Sequence, residues 1–400
     1  MKRKILFVID SLICAGAEKS LVSLLNQLNY DKYEIDLQLF SYGGEFEQFL
    51  PKEVNLLPPL TYTRFLNSGS SRRLLSSLYD VQARRMLQAK WKFSYLLRTQ
   101  KPLNNIKIAR LYWESIAKNI ESNPKEYDFA IAYAQGVPTF YVADKVKSPR
   151  KFSWVNVSYH LSGYEKSYQS KFYQQMDGIV TVSDSAFEVF RQVYPEYADK
   201  MNVIKDIVDT DLIKKLSVQE YGYQDNFQGV RILTVARLNK HQKGYDIALE
   251  ACRLLKERGI KFKWYALGRG NYEQEMRTYI AQNNLDDDFI LLGTTANPYP
   301  YFRQSTLYVQ TSRHEGYGLS IAEARLLNIP VVTTEFDAVY NQMVPEKNGL
   351  VVPQDPVAVA DAIERILTDK ELYQHIVSYL QTEKKGNQEE VEKFYQLLEG

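Results

Sequence analysis

Arg313-His314-Glu315-Gly316-Tyr317-Gly318-Leu319-Ser320-Ile321-Ala322-Glu323-Ala324 is separated by three residues from the preceding apolar run Leu307–Val309, which reads as a short strand ending near Thr311. Gly316 and Gly318 keep a helix from starting early. Helical spacing then runs from about Leu319 to Leu327, and Asn328 with Pro330 closes it. Pro330-Val331-Val332-Thr333-Thr334 is a second short strand. A strand, a glycine loop, a helix and another strand form the repeating unit of a parallel sheet.

The chemistry of this stretch lies in its loop and first helical turn. Gly316 and Gly318 let backbone N–H groups approach a ligand closely. The unpaired N–H groups and the dipole of a helix start at Leu319 and Ser320 favour an anion such as a phosphate. Glu315 precedes the helix and Glu323 lies about one turn inside it. Carboxylates are poor phosphate ligands but good acceptors for sugar hydroxyls. Together these features describe a phosphate bracketed by two hydroxyl-bearing groups, which is a nucleotide-sugar.

Glu315 and Glu323 are separated by seven residues. With Ser312-Arg313-His314 before and Gly316-Tyr317-Gly318 within, the stretch resembles the E-x7-E element of retaining glycosyltransferases of the GT-B fold, family 4. The resemblance implies an α/β protein of two Rossmann-like domains whose parallel sheets face across a cleft. Further segments carry it. The second domain restarts with the run Arg231–Leu238, and Arg237 and Lys243 sit in its strand-to-helix loop. There the Arg fork and the mobile Lys charge match the family's Arg…Lys pair, which neutralises the donor diphosphate. Gly268-Arg269-Gly270 permits a helix to begin close to ligand, and the loop reaching Asn297 stands where the family brackets the nucleobase. Ala15-Gly16-Ala17-Glu18 resembles the family's Gly-Gly-Ala-Glu loop, with Gly16 the one unrestricted position.

One departure stands out. Where many members have Trp-x-His-x-Asp, this chain has Trp154, Asn156 and Ser158, and the nearby histidine is His160. Asn donates a hydrogen bond but shuttles no proton at neutral pH. Either His160 takes the histidine's place or the reaction needs none, with Asn156 a positioning residue and the leaving phosphate accepting the proton. Asp286-Asp287-Asp288 precedes a strand rather than following one and reads as a solvated turn. The expectation is a metal-independent enzyme with no cofactor, using a UDP-sugar as co-substrate.

At 400 residues the chain has room for two domains, each with its own core. No apolar run approaches the roughly 18–20 residues of a membrane span. Met1-Lys2-Arg3-Lys4 before Ile5–Ile9 has the charge order of a leader, but the apolar part stops at Asp10 and reads as the first strand. Two cysteines, Cys14 and Cys252, give neither a disulfide framework nor a metal cluster, which suits a reducing cytoplasm. Residues 1–200 carry 27 Lys/Arg against 20 Asp/Glu, and residues 201–400 carry 23 against 28. The basic excess lies in the first half, which suggests that one end faces a negatively charged surface.

Much of that excess sits between Ser71 and Ile120, where eleven Lys/Arg meet only Asp80 and Glu114. Leucines, Trp91, Tyr95 and Trp113 are interleaved, as in basic amphipathic helices with interfacial aromatics. Two readings follow. In one, a helical insertion packs its apolar side on the first domain. In the other, the 71–120 segment contacts an anionic membrane surface. No nucleic-acid module surrounds it. The expected domains are 1–205, on the acceptor side with the insertion at about 70–120, and 206–384, binding the donor. Residues 205–228 connect them, and a helix at about 385–400 packs either back on the first domain or on the second.

The expected function is transfer of a hexose, with retention, from a nucleoside diphosphate sugar to a lipid-linked saccharide in surface polysaccharide or capsule assembly. The setting is cytoplasmic, peripheral at the inner face of the membrane. A transferase acting on a protein or soluble acceptor, or a non-catalytic GT-B partner subunit, is the alternative.

Overall fold

Parallel strands buried on both faces read as continuous apolar runs. Ile5–Ile9 and Phe129–Ala132 of the first sheet do so, whereas Tyr33–Leu39 alternates and still buries Asp36 and Gln38. In chain order the strands of this sheet are β1 (Arg3–Ile9), β2 (Tyr33–Leu39), β3 (Asn55–Leu56), β4 (Phe129–Ala132), β5 (Arg150–Val155), β6 (Gly178–Thr181) and β7 (Met201–Val203). They lie in the order β3-β2-β1-β4-β5-β6-β7, with every adjacent pair parallel. The helices between them are α1 (Gly16–Gln27), α2 (Thr61–Asn67), α3 (Ser70–Tyr79), α4 (Val81–Thr99), α5 (Asn105–Ile116), α6 (Val137–Lys145), α7 (Gly163–Tyr173) and α8 (Asp184–Val193). Ser183 caps α8, its Oγ accepting from Ala186 N at 3.1 Å. This computed structural model describes residues 2–157, 160–219 and 222–400.

The second sheet repeats the pattern with β8 (Val230–Val235), β9 (Phe262–Leu267), β10 (Phe289–Gly293), β11 (Leu307–Gln310), β12 (Val331–Thr334) and β13 (Gly349–Val352). Its order is β10-β9-β8-β11-β12-β13, again wholly parallel. The helices are α9 (Thr210–Ser217), α10 (Lys240–Lys243), α11 (Tyr245–Glu257), α12 (Glu273–Gln282), α13 (Tyr299–Arg303), α14 (Leu319–Leu326), α15 (Pro356–Thr368) and α16 (Lys370–Thr382). In both sheets the chain starts in the middle, runs to one edge, and returns to fill the other side. That is the doubly wound Rossmann order.

The chain divides into two compact units, Met1–Lys205 with Glu390–Gly400, and Asp206–Glu389. Each has its own core. In the first, Leu6, Val8, Ala130 and Ile179 meet Phe140 and Phe172, whose rings lie 4.2 Å apart. In the second, Ile232, Trp264, Leu307 and Val332 meet Leu249 and Ile363.

The first unit is completed by α17 (Glu389–Glu399). Phe394 of this helix is fully buried and stacks on Phe7 of β1, while Tyr395 stacks on Tyr33 of β2. Arg150 of β5 donates to the carbonyls of Leu398 (2.7 Å) and Leu397 (3.1 Å), satisfying acceptors that a helix C-terminus leaves open.

Two sequence readings need correction. Residues 205–228 are not a plain connection, because they contain α9. Asp209 caps it by accepting from Leu212 N at 3.0 Å, and Ile213 and Leu216 are buried. An N-cap followed by Leu212, Ile213 and Leu216 at helical spacing carried that signal. The second concerns Arg110, one of the eleven Lys/Arg counted between Ser71 and Ile120. It is buried and held by Glu165 (2.9 and 3.0 Å) and Glu114 (3.0 Å), so it contributes nothing to a basic face. The rest of the insertion divides by helix. α4 and α5 pack Ala83, Met86, Leu87, Trp113 and Ile116 into the core, whereas the leucines of α3 stay outside it.

Candidate active site

Adjacent strands whose connections leave in opposite directions open a crevice at their carboxyl ends, and ligands of doubly wound sheets bind there. In the second unit those strands are β8 and β11. Beyond β8 come Arg237, the single turn of α10 and Gly244. Gly244 takes a left-handed φ of +61° to end that turn. Beyond β11 comes the loop from Thr311 to Gly318. The two loops are tied together. Arg313 N donates to Gln242 O (2.8 Å), Thr311 Oγ1 donates to Lys243 O (3.2 Å), and the Arg313 guanidinium forks onto Asp246 at 2.8 and 2.9 Å. Burial alone would raise the Asp246 carboxyl. The Arg313 hydrogen bonds outweigh it and hold the group below the usual carboxylate range.

At the centre of this arrangement Lys243 and Glu315 form an ion pair. Lys243 Nζ lies 2.6 Å from Oε1 and 2.7 Å from Oε2, and the two side chains are 14% and 10% exposed. Glu315 Oε1 also accepts from Ser312 Oγ (2.6 Å) and Gln310 Nε2 (2.8 Å). Gln310 is in turn fixed by Tyr308, whose hydroxyl donates to Gln310 Oε1 at 2.7 Å. Burial keeps that phenol well above its ordinary range, so it remains a donor at any physiological pH. Glu315 is therefore held from three sides at one end of its carboxylate. Arg237 lies exposed beside this pair in sequence and loop, and donates to Gln242 Oε1 at 3.3 Å.

Helix α14 opens at Gly318, whose φ of +84° places it in the left-handed region. Of the two glycines in the loop, this is the one whose backbone requires glycine; Gly316 is not in that region. Gly318 has no side chain with which to cap the helix, so Leu319 and Ser320 present first-turn N–H groups without intrahelical acceptors. Ser320 Oγ donates to Val235 O at 3.0 Å, which sets the helix start over the end of β8. Glu323 is only 1% exposed, and its Oε1 accepts from the Tyr299 hydroxyl at 3.1 Å.

Gly268 has a φ of +155°, and a Cβ there would lie 1.9 Å from Ala236 O, so the β9 loop crosses close to the end of β8. Asn297 is occupied: its Nδ2 donates to Leu216 O (3.0 Å) and Gln219 Oε1 (2.9 Å), and its Oδ1 accepts from Tyr299 N (3.2 Å). Its side chain therefore fastens the loop to α9. The Asp286–Asp288 turn is less solvated than read, since Asp288 pairs with Lys256 at 2.7 Å.

The remaining sequence-derived residues belong to the first unit. Gly16 opens α1 beyond β1, and Ser20 of that helix lies 3.1 Å from the Tyr133 hydroxyl. Asn156 follows β5; its Nδ2 donates to Tyr133 O (3.0 Å), and its N–H donates to Gln135 Oε1 (2.8 Å). His160 is exposed, and Ser158 lies outside the described residues. The structure thus groups Arg237, Lys243, Glu315, Gly318, Leu319 and Ser320 on adjoining loops of the second unit, with Glu323 beneath them. Sequence reasoning missed Gln310, Tyr308 and Tyr299. The signal for Gln310 was a polar residue closing the otherwise apolar strand Leu307–Val309.

Residues 225–382 match the family model described as Glycosyl transferases group 1. The chain is 30% identical over 148 residues to the amylovoran biosynthesis glycosyltransferase AmsK of Erwinia amylovora, covering 35% of this chain and 36% of that one. It is 26% identical over 187 residues to the N-acetylgalactosamine-N,N'-diacetylbacillosaminyl-diphospho-undecaprenol 4-alpha-N-acetylgalactosaminyltransferase of Campylobacter jejuni, covering 46% and 49%. The chain thus spans about a third to a half of the length of these relatives. Among solved structures, the Anabaena protein HepE in complex with UDP and glucose superposes over 100% of both chains, with a TM-score of 0.68 and 19% identity. The fold is that of GT-B glycosyltransferases, two Rossmann-like α/β domains with parallel sheets.

Proposed function

We propose that this chain is a retaining, metal-independent glycosyltransferase that moves a hexose from a nucleoside diphosphate sugar to a lipid-linked saccharide during assembly of a bacterial surface polysaccharide. The observation that carries this reading is the Lys243–Glu315 pair at the switch point of the second sheet, beside Arg237 and the uncapped start of α14.

The parts divide the work by chemistry. Arg237, Lys243 and the N–H groups of Leu319 and Ser320 take the diphosphate. The two cations supply the positive charge that meets the phosphate as its bond to the sugar lengthens. Glu315 accepts from sugar hydroxyls at its less occupied oxygen, Oε2. Glu323 accepts from the ribose; because it is covered, the side chains over it shift when nucleotide binds. The bond from the anomeric carbon to the phosphate oxygen breaks, and the acceptor oxygen attacks from the same face. The acceptor's proton passes to the departing phosphate, so no protein base is needed. The complex of the Anabaena neighbour supports UDP as the nucleotide. The Campylobacter relative, which acts on a diphospho-undecaprenol saccharide, supports a lipid-linked acceptor at the inner membrane face. Among the described residues no helix is long and apolar enough to cross a membrane.

The test is a thermal-shift panel of nucleoside diphosphates and their sugars on wild type and Arg237→Ala. A ligand at a hundredfold excess over Kd stabilises by about 2.7 kcal/mol. A shift with one nucleotide, lost in the variant, is expected. The panel is followed by transfer to a polyprenyl-diphosphate saccharide in EDTA, with the product anomer read by NMR. No shift with any nucleotide, or an inverted product, would overturn the proposal.

A further inference from the structure

The helical hairpin of the first unit carries an apolar face that nothing among the described residues covers. On α3, Leu74, Leu75, Leu78 and Tyr79 are 55%, 59%, 60% and 85% exposed. At 3.6 residues per turn they fall within an arc of roughly 140°. Val81, at the junction with α4, extends the ridge. On α4, Trp91 and Tyr95 stand one turn apart and are also exposed. The hairpin is held firmly. Arg73 donates to Leu66 O and Ser68 O at its start. Arg84 of α4 reaches back to the carbonyls of Ser77 and Leu78, both at 3.1 Å, where α3 ends. This is an apolar face on a fixed support rather than a loose segment that could fold its leucines inward.

The rim of the ridge is cationic. Arg72 borders it on α3, and Arg85, Lys92 and Arg98 lie on the exposed side of α4. Arg72, Arg85 and Arg98 take part in no ion pair among the described residues. Leucines bounded by arginine, with tryptophan and tyrosine near the polar edge, match the layering of a membrane surface: acyl chains, interface, anionic headgroups. A second copy of the chain fits worse, because a self-complementary contact would set Arg72 and Arg85 against their own like charges.

We infer that the α3–α4 hairpin is a membrane-docking wedge, its α3 ridge entering the acyl boundary of an anionic leaflet while Arg72, Arg85 and Arg98 hold the headgroups. This assigns the membrane contact to one element and stands apart from the transfer reaction.

Trp91 supplies the readout, since Trp113, Trp154 and Trp264 are all buried. Wild-type protein, without donor or acceptor, is floated with phosphatidylcholine vesicles containing phosphatidylglycerol and with pure phosphatidylcholine vesicles. Binding to the anionic vesicles at low salt is expected, with a blue shift and quenching of Trp91 by brominated lipid. The pair Leu75→Asp/Leu78→Asp should weaken binding at least about tenfold. Arg72→Glu/Arg85→Glu should weaken it about fivefold or more per charge and flatten its salt dependence. All these positions are exposed, so circular dichroism and the nucleotide-induced thermal shift should not change. Equal binding to neutral vesicles, no binding to either, or a wild-type dimer that Leu75→Asp/Leu78→Asp dissociates would overturn the wedge. Absence of a nucleotide shift in the wild type, with anionic-vesicle binding intact, would count against the proposed transferase and leave the wedge standing.

Discussion

Glu315 is the residue on which the proposed chemistry turns, because it neutralises the cation meant for the donor. Removing its charge should therefore have opposite effects on binding and turnover. In Glu315→Gln, Lys243 is free to meet the diphosphate, and nucleoside diphosphate affinity should rise several-fold by calorimetry. Turnover should fall by about a hundredfold or more, because the group that engages the sugar in the transition state is gone. Gln310→Ala should leave nucleotide affinity nearly unchanged and lower kcat by about tenfold, through a Glu315 held from two sides rather than three. Cys14 makes a simpler case. Burial and the neighbouring Glu45 push its thiol up to about 11. Its native alkylation at pH 8 should be roughly a hundredfold slower than that of a free cysteine, and unfolding should abolish the difference. At this scale the sequence displayed charged residues and glycines well, because spacing marks them. It hid Gln310 and Tyr299, because a hydrogen bond across a sheet leaves no trace in spacing.

Elements were legible where periodicity was long. The helix α14 and the strands β11 and β12 stand within a residue or two of their reading from the chain. α9 is no shorter than α14, but it sits in a polar, glycine-bearing stretch between the two domains that reads as a connection and masks its cap and apolar spacing. The exposed state of α3 was open as well: amphipathy shows that a helix has an apolar face, not what that face meets. Two glycines test how the elements are set. In Gly318→Ala the new methyl has room, its nearest contacts being 3.5 Å away, so the cost is the left-handed backbone alone. That is about 1–2 kcal/mol, read as a lower urea midpoint. In Gly268→Ala the methyl would sit 1.9 Å from Ala236 O, so the β9 loop must move off the end of β8. A larger loss of stability is expected, roughly 3 kcal/mol or more, together with loss of nucleotide binding.

For the whole molecule, the two-sheet plan followed from the recurring strand–loop–helix unit. Its completion by α17 did not, because long-range docking of a terminal helix is decided by side chains 240 or more positions away, such as Arg150 against Leu398. Acid stability offers a test that involves the first unit as a whole. Asp36 of β2 is buried, which opposes its ionisation. Lys125 (2.8 Å), Tyr127 (2.7 Å) and Asn55 (2.6 Å) nevertheless hold its carboxyl below the usual range. A depressed folded-state pKa contributes stability that is complete above the unfolded value, near about 3.9, and is lost as pH falls through the folded one. Asp36→Asn should therefore lower stability at neutral pH by about 1–3 kcal/mol and flatten the acid limb of a pH series of urea melts. An unchanged acid limb would show that Asp36 is not the group being titrated.

The return of α17 to the first sheet also sets an order of events on the ribosome. Phe7 and Tyr33 emerge early, but the rings that cover them, Phe394 and Tyr395, are synthesised only after the entire second unit. At roughly 5–20 residues per second, that leaves tens of seconds in which one face of the first sheet waits uncovered. The second unit has both of its ends in hand and can close first. A nascent chain stalled before residue 390 would thus present a finished donor-side unit attached to an unfinished partner with bare aromatic surface, the kind of intermediate that chaperones retain.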